Sequence, residues 1–446
     1  MAEQVKKKDL NIFVEYLTRV EGHGHIKINM KDGKLEACYL NVIEAPRFFE
    51  AMVRGRSMFE VQHITSRICG ICSTGHSLAS IKATEDAIGF TPSVQTRKLR
   101  KLALHYETLD SHLLHVLFLV TPDVFGAESV FPMIQTHKDV ILLALKMKKA
   151  CSDLCDILMG RHTHPITLAV RGFTKIPGKK ELEKSRELLG ELEKDLAIVL
   201  GVVKLIKLPE FERETEYIAL THPDEYAFLD GNIASTDAKE IAPRDYLSFV
   251  HELNVEHSAS KHSKNKRNSY MTGALARFNI NHKKLPEKLL DIAKSLGLKA
   301  PCYNPFMNSI AQVIETAYCL YDAIEIIDGF LKNGIDQSEA VASWPSSLEK
   351  NKFTFKSGRG VGAVEVPRGI LFHDYTVNAE GIIEKANCVI PTNQNLANID
   401  MDLQKMVPEI LHKTKEEITL QAEMLVRAYD PCISCSCHLL DVEFVD

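Results

Sequence analysis

The sequence predicts a mainly α protein with small β segments, an α+β architecture in which long helices form a bundle and strands lie at its edge. Three observations carry that prediction. Five long stretches keep a helical hydrophobic period. Two alternating runs flank an Asp-Gly pair near the N-terminus. A second alternating patch lies between Gly358 and Ile390.

The elements follow in order. IFVEYL and then HIKINMKDGKLEACYLNV alternate apolar and polar residues, and Asp32-Gly33 is a strong hairpin signal between two such runs. From about Ser93 the period changes: Leu99, Leu102, Tyr106, Leu109, Leu113 and Leu117 recur at steps of three and four, which makes one apolar helix face. Val140 to Met159 predicts a second helix, stopped by Gly160. Glu181 to Val203 predicts a third, with Leu182, Leu189, Leu192, Leu196 and Val199 on one side. The stretch 210–284 is polar and predicts irregular structure. Ile310 to Phe330 and Glu416 to Tyr429 predict two more helices, and Gly358 to Ile390 a small β patch whose halves meet at NAEG. With no repeat and no obvious linker, residues 1–446 read as a single domain.

Composition narrows the function. A formal charge of −5 gives no reason to expect nucleic acid as a partner, and the cluster KHSKNKR (Lys261 to Arg267) reads as a solvated loop. No apolar run reaches the length of a membrane-spanning helix. The N-terminal MAEQVKKKDL has no apolar core of the kind a secretory signal carries. Eleven cysteines in such a chain predict a reducing compartment, with thiols that bind metal or are buried rather than bridged.

Two CxxC pairs lie at opposite ends of the chain, Cys69 with Cys72 and Cys432 with Cys435. The two-residue spacing lets both sulfurs of a pair reach one metal, so four thiolates fit a zinc or an iron site. Structural zinc usually staples a short module, whereas these pairs are separated by nearly the whole chain. A histidine follows each pair, His76 and His438, and Arg67 and Asp430 stand just before them. Those charges would be out of place beside a purely structural site. Cys151 and Cys155, four apart on an apolar helix, read as core thiols.

RICGIC with STGH after it, and DPCISCSCH near the end, resemble the two signatures of the large subunit of nickel–iron hydrogenases. Other segments resemble that family in the same order along the chain: RVEGHGHIKI (Arg19 to Ile28), PRFFEAMVRGR (Pro46 to Arg56), GRHTHP followed by VRGF, VPRG (Val366 to Gly369) and VIPTNQN (Val389 to Asn395). The PRFFE and PTNQN wording is most similar to the cytoplasmic multisubunit branch.

The resemblance implies a nickel–iron site, with carbon monoxide and cyanide on the iron, that cleaves dihydrogen heterolytically. Cys69 and Cys432 would be terminal nickel ligands, and Cys72 and Cys435 would bridge nickel to iron. Soft thiolates suit such metals. Glu21 would relay a proton beside a nickel thiolate. Arg368 would hang over the metals, paired with Asp430. Thr392 would meet a cyanide, and Pro367, Ile390 and Pro391 would form the apolar wall. His76 would hydrogen-bond a bridging sulfur. Glu50, the main-chain carbonyl of Cys388 and His438 would hold magnesium (iron in some members).

The resemblance also implies partners. The chain has no further cysteine sets for iron–sulfur clusters, so electrons would leave through an iron–sulfur small subunit. Further flavin or iron–sulfur subunits would carry them to a soluble acceptor such as NAD(P) or ferredoxin, in the cytoplasm. A hydrogen-sensing regulatory member of the same family is the alternative. In the segment LDSHLLH, Ser111 stands where many members carry an aspartate, and Asp110 precedes it. Many members are cut after the last histidine; here Leu439–Asp446 reads as a short extension removed on maturation or as a retained tail, the second being preferred. GRGVGAVE is similar to a glycine-rich nucleotide loop, but it sits in a predicted hairpin with no helix after it.

Overall fold

A computed structural model describes residues 9–204, 206–341 and 357–437. The N-terminal runs form an antiparallel meander of β1 (Leu10–Val14), β2 (Gly24–Lys31) and β3 (Lys34–Val42). Asp32 and Gly33 both take positive φ, 51° and 72°, as the two-residue turn between β2 and β3 demands. One face of the meander is buried through Ile26, Ile28, Leu40 and Val42.

The predicted long helices are all present. They are α2 (Val94–Leu114), α3 (Lys138–Met159), α4 (Lys179–Val203), α5 (Asn308–Asn333) and α7 (Lys415–Ala428). The helix α2 packs on α3 and α5, and α4 packs on the same two, so four helices close a bundle. Ser93 starts α2 by accepting the amide of Thr96, and Thr414 and Glu417 form a capping box on α7.

Two further helices carry no legible apolar period. α1 (Ser73–Ile88) is buried on nearly every side, and its small residues Ser77, Ala79, Ser80, Ala83 and Ala87 let other backbones approach. α6 (Pro391–Glu409) buries Asn393, Gln394, Asn395, Asn398, Asp400 and Asp402. Its polar groups bond to other segments: Asn395 Oδ1 accepts the Thr272 amide at 2.9 Å, and Gln394 Nε2 donates to Ile370 O at 2.7 Å. The stretch 210–284 is also more ordered than its polarity predicts. β4 (Glu216–Thr221), β5 (Asn232–Ser235) and β6 (Tyr270–Met271) make a small sheet, followed by a helix at Ala274–Asn281.

The C-terminal sheet is β7 (Gly358–Val366), β8 (Gly369–Val377) and β9 (Ile383–Val389), all antiparallel. GRGVGAVE is therefore strand β7, and its glycines serve packing. A Cβ on Gly358 would lie 2.6 Å from Ala87 O, and on Gly360 or Gly362 it would overlap the backbone of Ala83 or Ala79 outright. The strand lies flat on α1 because those positions have no side chain. Gly362→Ala is expected to force α1 and β7 apart at a cost of about 3 kcal/mol, the upper end for overpacking a core. Thermal unfolding checks this; an unchanged midpoint would show that the contact gives way freely.

One continuous hydrophobic core includes side chains from Leu10 in β1 to Cys437 at the end of the described chain. Among the described residues no helix is long and apolar enough to cross a membrane.

Candidate metal centre

Three local features explain how residues 19–24 come to lie against residues 432–437. Arg19 Nη2 donates to Asp123 Oδ1, and Arg427 at the end of α7 donates to the same carboxylate through Nε and Nη2, both at 2.8 Å. One buried aspartate thus ties the N-terminal segment to the last helix. The backbones then pair directly: Glu21 and Cys432 form a parallel bridge, and Ile433 N donates to Glu21 O at 2.9 Å. Gly22 has φ 86°, and a Cβ there would lie 2.7 Å from Ser434 N. Only glycine satisfies both demands, which gives a physical reason for the EGH wording.

The first pair sits where a short 3-10 turn, Ser66–Ile68, meets α1. Cys69 Sγ accepts the amides of Ile71 and Cys72 at 3.2 and 3.0 Å. Cys69 Sγ is 3.6 Å from Cys432 Sγ, and Cys432 Sγ is 2.6 Å from Cys435 Sγ. All four sulfurs, that of Cys72 included, are buried and lie within 4.8 Å of one another.

The sulfurs set one another's ionisation. Burial opposes the Cys69 thiolate, but bonds from Cys432, Cys435 and Cys72, with the charge of Arg368, hold its pKa well below the ordinary thiol value. Cys432 and Cys435 are pushed well above that value, chiefly by burial. Bonds from Cys432 and Cys435 favour the Cys72 thiolate, yet the bond to Cys69, burial and the Cys69 charge together raise it to about 11. A metal ion bound among them would favour the thiolate form of each sulfur it touches. A soft, buried, four-sulfur donor set fits the nickel–iron group.

Arg368 and Asp430 form a buried pair beside the sulfurs, Nη2 to Oδ1 at 2.8 Å. Burial disfavours the Arg368 charge, but Asp430 and the sulfurs of Cys432, Cys72 and Cys69 outweigh it, so the guanidinium stays protonated. Asp430 also accepts from Gln312 Nε2 at 3.1 Å and takes a left-handed backbone, φ 53°. Arg368 Nη1 stands 3.5 Å from Ser111 Oγ. Asp110 is drawn away to Lys148 and Ser152. The group this segment presents to Arg368 is therefore the Ser111 hydroxyl and not the Asp110 carboxylate.

Glu21 Oε2 lies 3.1 Å from Cys432 Sγ and accepts the Ser434 amide at 3.1 Å. Thr392 Oγ1, in the first turn of α6, accepts the Cys432 amide at 3.0 Å. Ile390 and Pro391 start that same helix and are buried. His76 is one turn into α1, and its Nδ1 faces His373 Nε2 at 3.1 Å; His373 continues to the Tyr375 hydroxyl at 2.6 Å. Glu50, in the short helix Phe49–Val53, lies near enough to Cys388 in β9 that its charge adds to burial in raising that thiol. Arg47 N donates to Cys437 O at 3.0 Å, which brings Cys437 beside the segment that carries Glu50. His438 and the tail 439–446 lie outside the described residues.

Three positioning residues escaped the sequence reading. Arg47 Nη1 donates to Ile68 O at 2.7 Å and to Ser434 O at 3.4 Å, holding both cysteine loops. Arg277 donates to Val366 O at 2.9 Å and Pro367 O at 3.1 Å, fixing the turn that bears Arg368. It is itself held by Glu315 and Glu365, in a fully buried network. Glu107 accepts the Thr74 amide at 2.7 Å at the start of α1; burial, then the Cys69 charge, push its pKa up to about 8. Arg47 had a signal in PRFFE. Glu107 is one of several charges in α2, and Arg277 is the single charge of the helix Ala274–Asn281; both stand out only once burial is known.

A helix bundle closed over four converging cysteine sulfurs defines a buried thiolate metalloprotein. The family described as nickel-dependent hydrogenase matches residues 47–131 and 236–438, and a HoxL-like family matches residues 11–45. The chain belongs to the nickel-dependent hydrogenase large-subunit family, whose members are oxidoreductases. It is 34% identical to the alpha chain of sulfhydrogenase 1 from Pyrococcus furiosus, over 98% of this chain and 100% of that one. It is 29% identical to a chain of the F420-non-reducing hydrogenase from Methanothermobacter thermautotrophicus, over 97% and 95%. In fold it is similar to an NAD+-reducing [NiFe]-hydrogenase in the H2-reduced state, with a TM-score of 0.84 at 23% identity, covering 96% of this chain and 99% of that one.

Proposed function

We propose that this chain is the catalytic subunit of a cytoplasmic nickel–iron hydrogenase that interconverts dihydrogen with protons and electrons. The observation that carries the reading is the convergence of four buried sulfurs from both chain ends, with the Glu21 carboxyl on one of them. Cys69 and Cys432 would hold nickel, and Cys72 and Cys435 would bridge it to iron. When bound, that metal pair, with carbon monoxide and cyanide on iron, supplies the heterolysis of dihydrogen.

The chain's own groups do the rest. Glu21 takes the proton from Cys432 Sγ; the Ser434 amide holds the carboxylate in reach. Arg368 keeps its charge over the site because Asp430 compensates it. Thr392 accepts the Cys432 amide on its hydroxyl oxygen, so its hydroxyl proton would remain available to a cyanide ligand of the iron. Pro367, Ile390 and Pro391 exclude water. Glu50, the Cys388 carbonyl and His438 would bind magnesium, and the Arg47–Cys437 bond supports that grouping.

Electrons pass to an iron–sulfur small subunit, then through flavin or iron–sulfur subunits to NAD(P), ferredoxin or a similar acceptor. The surface above the first pair exposes Arg67, Gly70 and Ile166, a face suited to the small subunit. The hydrogenase names of the relatives favour catalysis over sensing.

Metal analysis with infrared spectroscopy tests the reading. Nickel and iron at one each in this centre, with carbon monoxide and cyanide bands, are expected. Zinc in the four-cysteine site would overturn it.

A further inference from the structure

We propose that His257, His262 and Asp400 form a second metal site, distinct from the four sulfurs and from the Glu50 region, that takes a zinc-like divalent transition ion. Asp400 stands on α6, His257 lies in the loop that leads to the strand His262–Lys264, and His262 is the first residue of that strand. Asp400 Oδ2 is 3.2 Å from His257 Nε2 and 3.8 Å from His262 Nε2, and the three ligand atoms lie within 4.8 Å of one another. Ligands at zinc bond lengths in a tetrahedron stand about 3.3 Å apart. Two of the three separations are thus close to a tetrahedral edge, and the third is no longer than 4.8 Å.

Hydrogen bonding explains only part of this arrangement. The His257–Asp400 contact is a hydrogen bond, but 3.8 Å is too long for one, and His262 Nε2 has no hydrogen-bond partner among the described residues. That nitrogen is aimed at the carboxylate from a side chain only 9% exposed. A buried polar atom so placed requires a partner. A shared cation satisfies both imidazoles and the carboxylate together.

The surroundings are built to orient ligands. Asp400 Oδ1 accepts the Leu40 amide of β3 at 2.8 Å, which turns Oδ2 toward the histidines. The Tyr39 ring lies 4.2 Å from the His257 ring and fixes its plane. His257 remains partly exposed, so water can complete the coordination. Two imidazoles and one carboxylate, with an open position, suit zinc and its neighbours better than magnesium.

The site has a structural consequence. The same loop donates Ala259 N to Val42 O at 2.8 Å, and Ser260 Oγ to Ser436 O at 2.8 Å. An ion here would clip the loop to β3 and α6, directly behind the residue that follows Cys435. It would brace the second cysteine pair without touching it.

Cobalt titration of the chelator-washed, nickel–iron-loaded complex tests this, with cobalt as a spectroscopic stand-in for zinc. The wild type is expected to bind one equivalent with tetrahedral-type ligand-field absorption, and to unfold at a higher temperature with zinc. His262→Ala is expected to weaken that binding by more than about 100-fold, beyond what partners that only orient a ligand contribute. Asp400→Asn keeps an acceptor for Leu40 N, and it is expected to weaken binding similarly if His262→Ala loses its nickel and iron. Nickel content must match the wild type in the variant scored. No cobalt uptake by the wild type, or equal uptake by a folded variant, overturns the site.

Discussion

Cys435→Ser is expected to abolish dihydrogen turnover and to lower nickel and iron content together. The physical reason is the company that sulfur keeps. Cys435 Sγ lies 2.6 Å from Cys432 Sγ in a site with no exposure to water. A serine hydroxyl is hard, weakly acidic and a poor bridge between soft metals. Groups that merely orient a metal ligand cost about 10–100-fold when removed, so loss of Cys435 in its proposed role as a bridging ligand should exceed that range. Activity should fall below detection in a dye-reduction assay with dihydrogen, while elemental analysis reports the metal loss. Cys151→Ser is the control. That thiol is buried in α3, and no bond of it to the site is seen. Full turnover by Cys435→Ser would end the nickel–iron assignment.

Glu21→Gln should separate proton movement from assembly. Glutamine keeps the shape and the bond from the Ser434 amide but cannot exchange a proton. Dihydrogen turnover and hydrogen–deuterium exchange are expected to drop by about 10²–10⁴-fold, the usual share of one acid–base group. Nickel, iron and the infrared bands are expected to persist. Glu21→Asp retains the acid on a shorter arm and should fall between the two. A structural role alone would order these variants by packing; a relay orders them by ionisability. Exchange at the wild-type rate in Glu21→Gln would place the proton on another route.

Much of this protein was legible without its structure. The five helices with an apolar stripe, the Asp32-Gly33 hairpin and the β patch from Gly358 all appear where their periods put them. They were legible because each buries one face and exposes the other, and that asymmetry is written in the spacing of residues. The convergence of the cysteine pairs was legible in another way, through a resemblance carried by ordered segments from Arg19 to His438.

Helices α1 and α6 were not legible, although α1 begins just after Cys72 and α6 carries Thr392. Helix α1 is buried on nearly every side, and α6 is buried throughout Pro391 to Asp400 with mostly polar residues, so neither shows an apolar stripe there. The glycines of β7 lie in a hairpin the sequence predicts, but that they are the points where a strand meets a helix backbone shows only in the structure. Glu107, Arg277 and the trio of His257, His262 and Asp400 read as ordinary charges until distance and burial are known.

The sequence alone determined which residues could bind a soft metal, which long striped stretches are helical, and which family the chain resembles. Tertiary structure decided that Asp123 joins Arg19 to Arg427, that Ser111 rather than Asp110 faces Arg368, and that Asp400 stands between two histidines. These are contacts across 100 to more than 300 residues. Local spacing encodes which face of an element is apolar, but the partner of a buried charge is set only when separate elements pack and water is excluded.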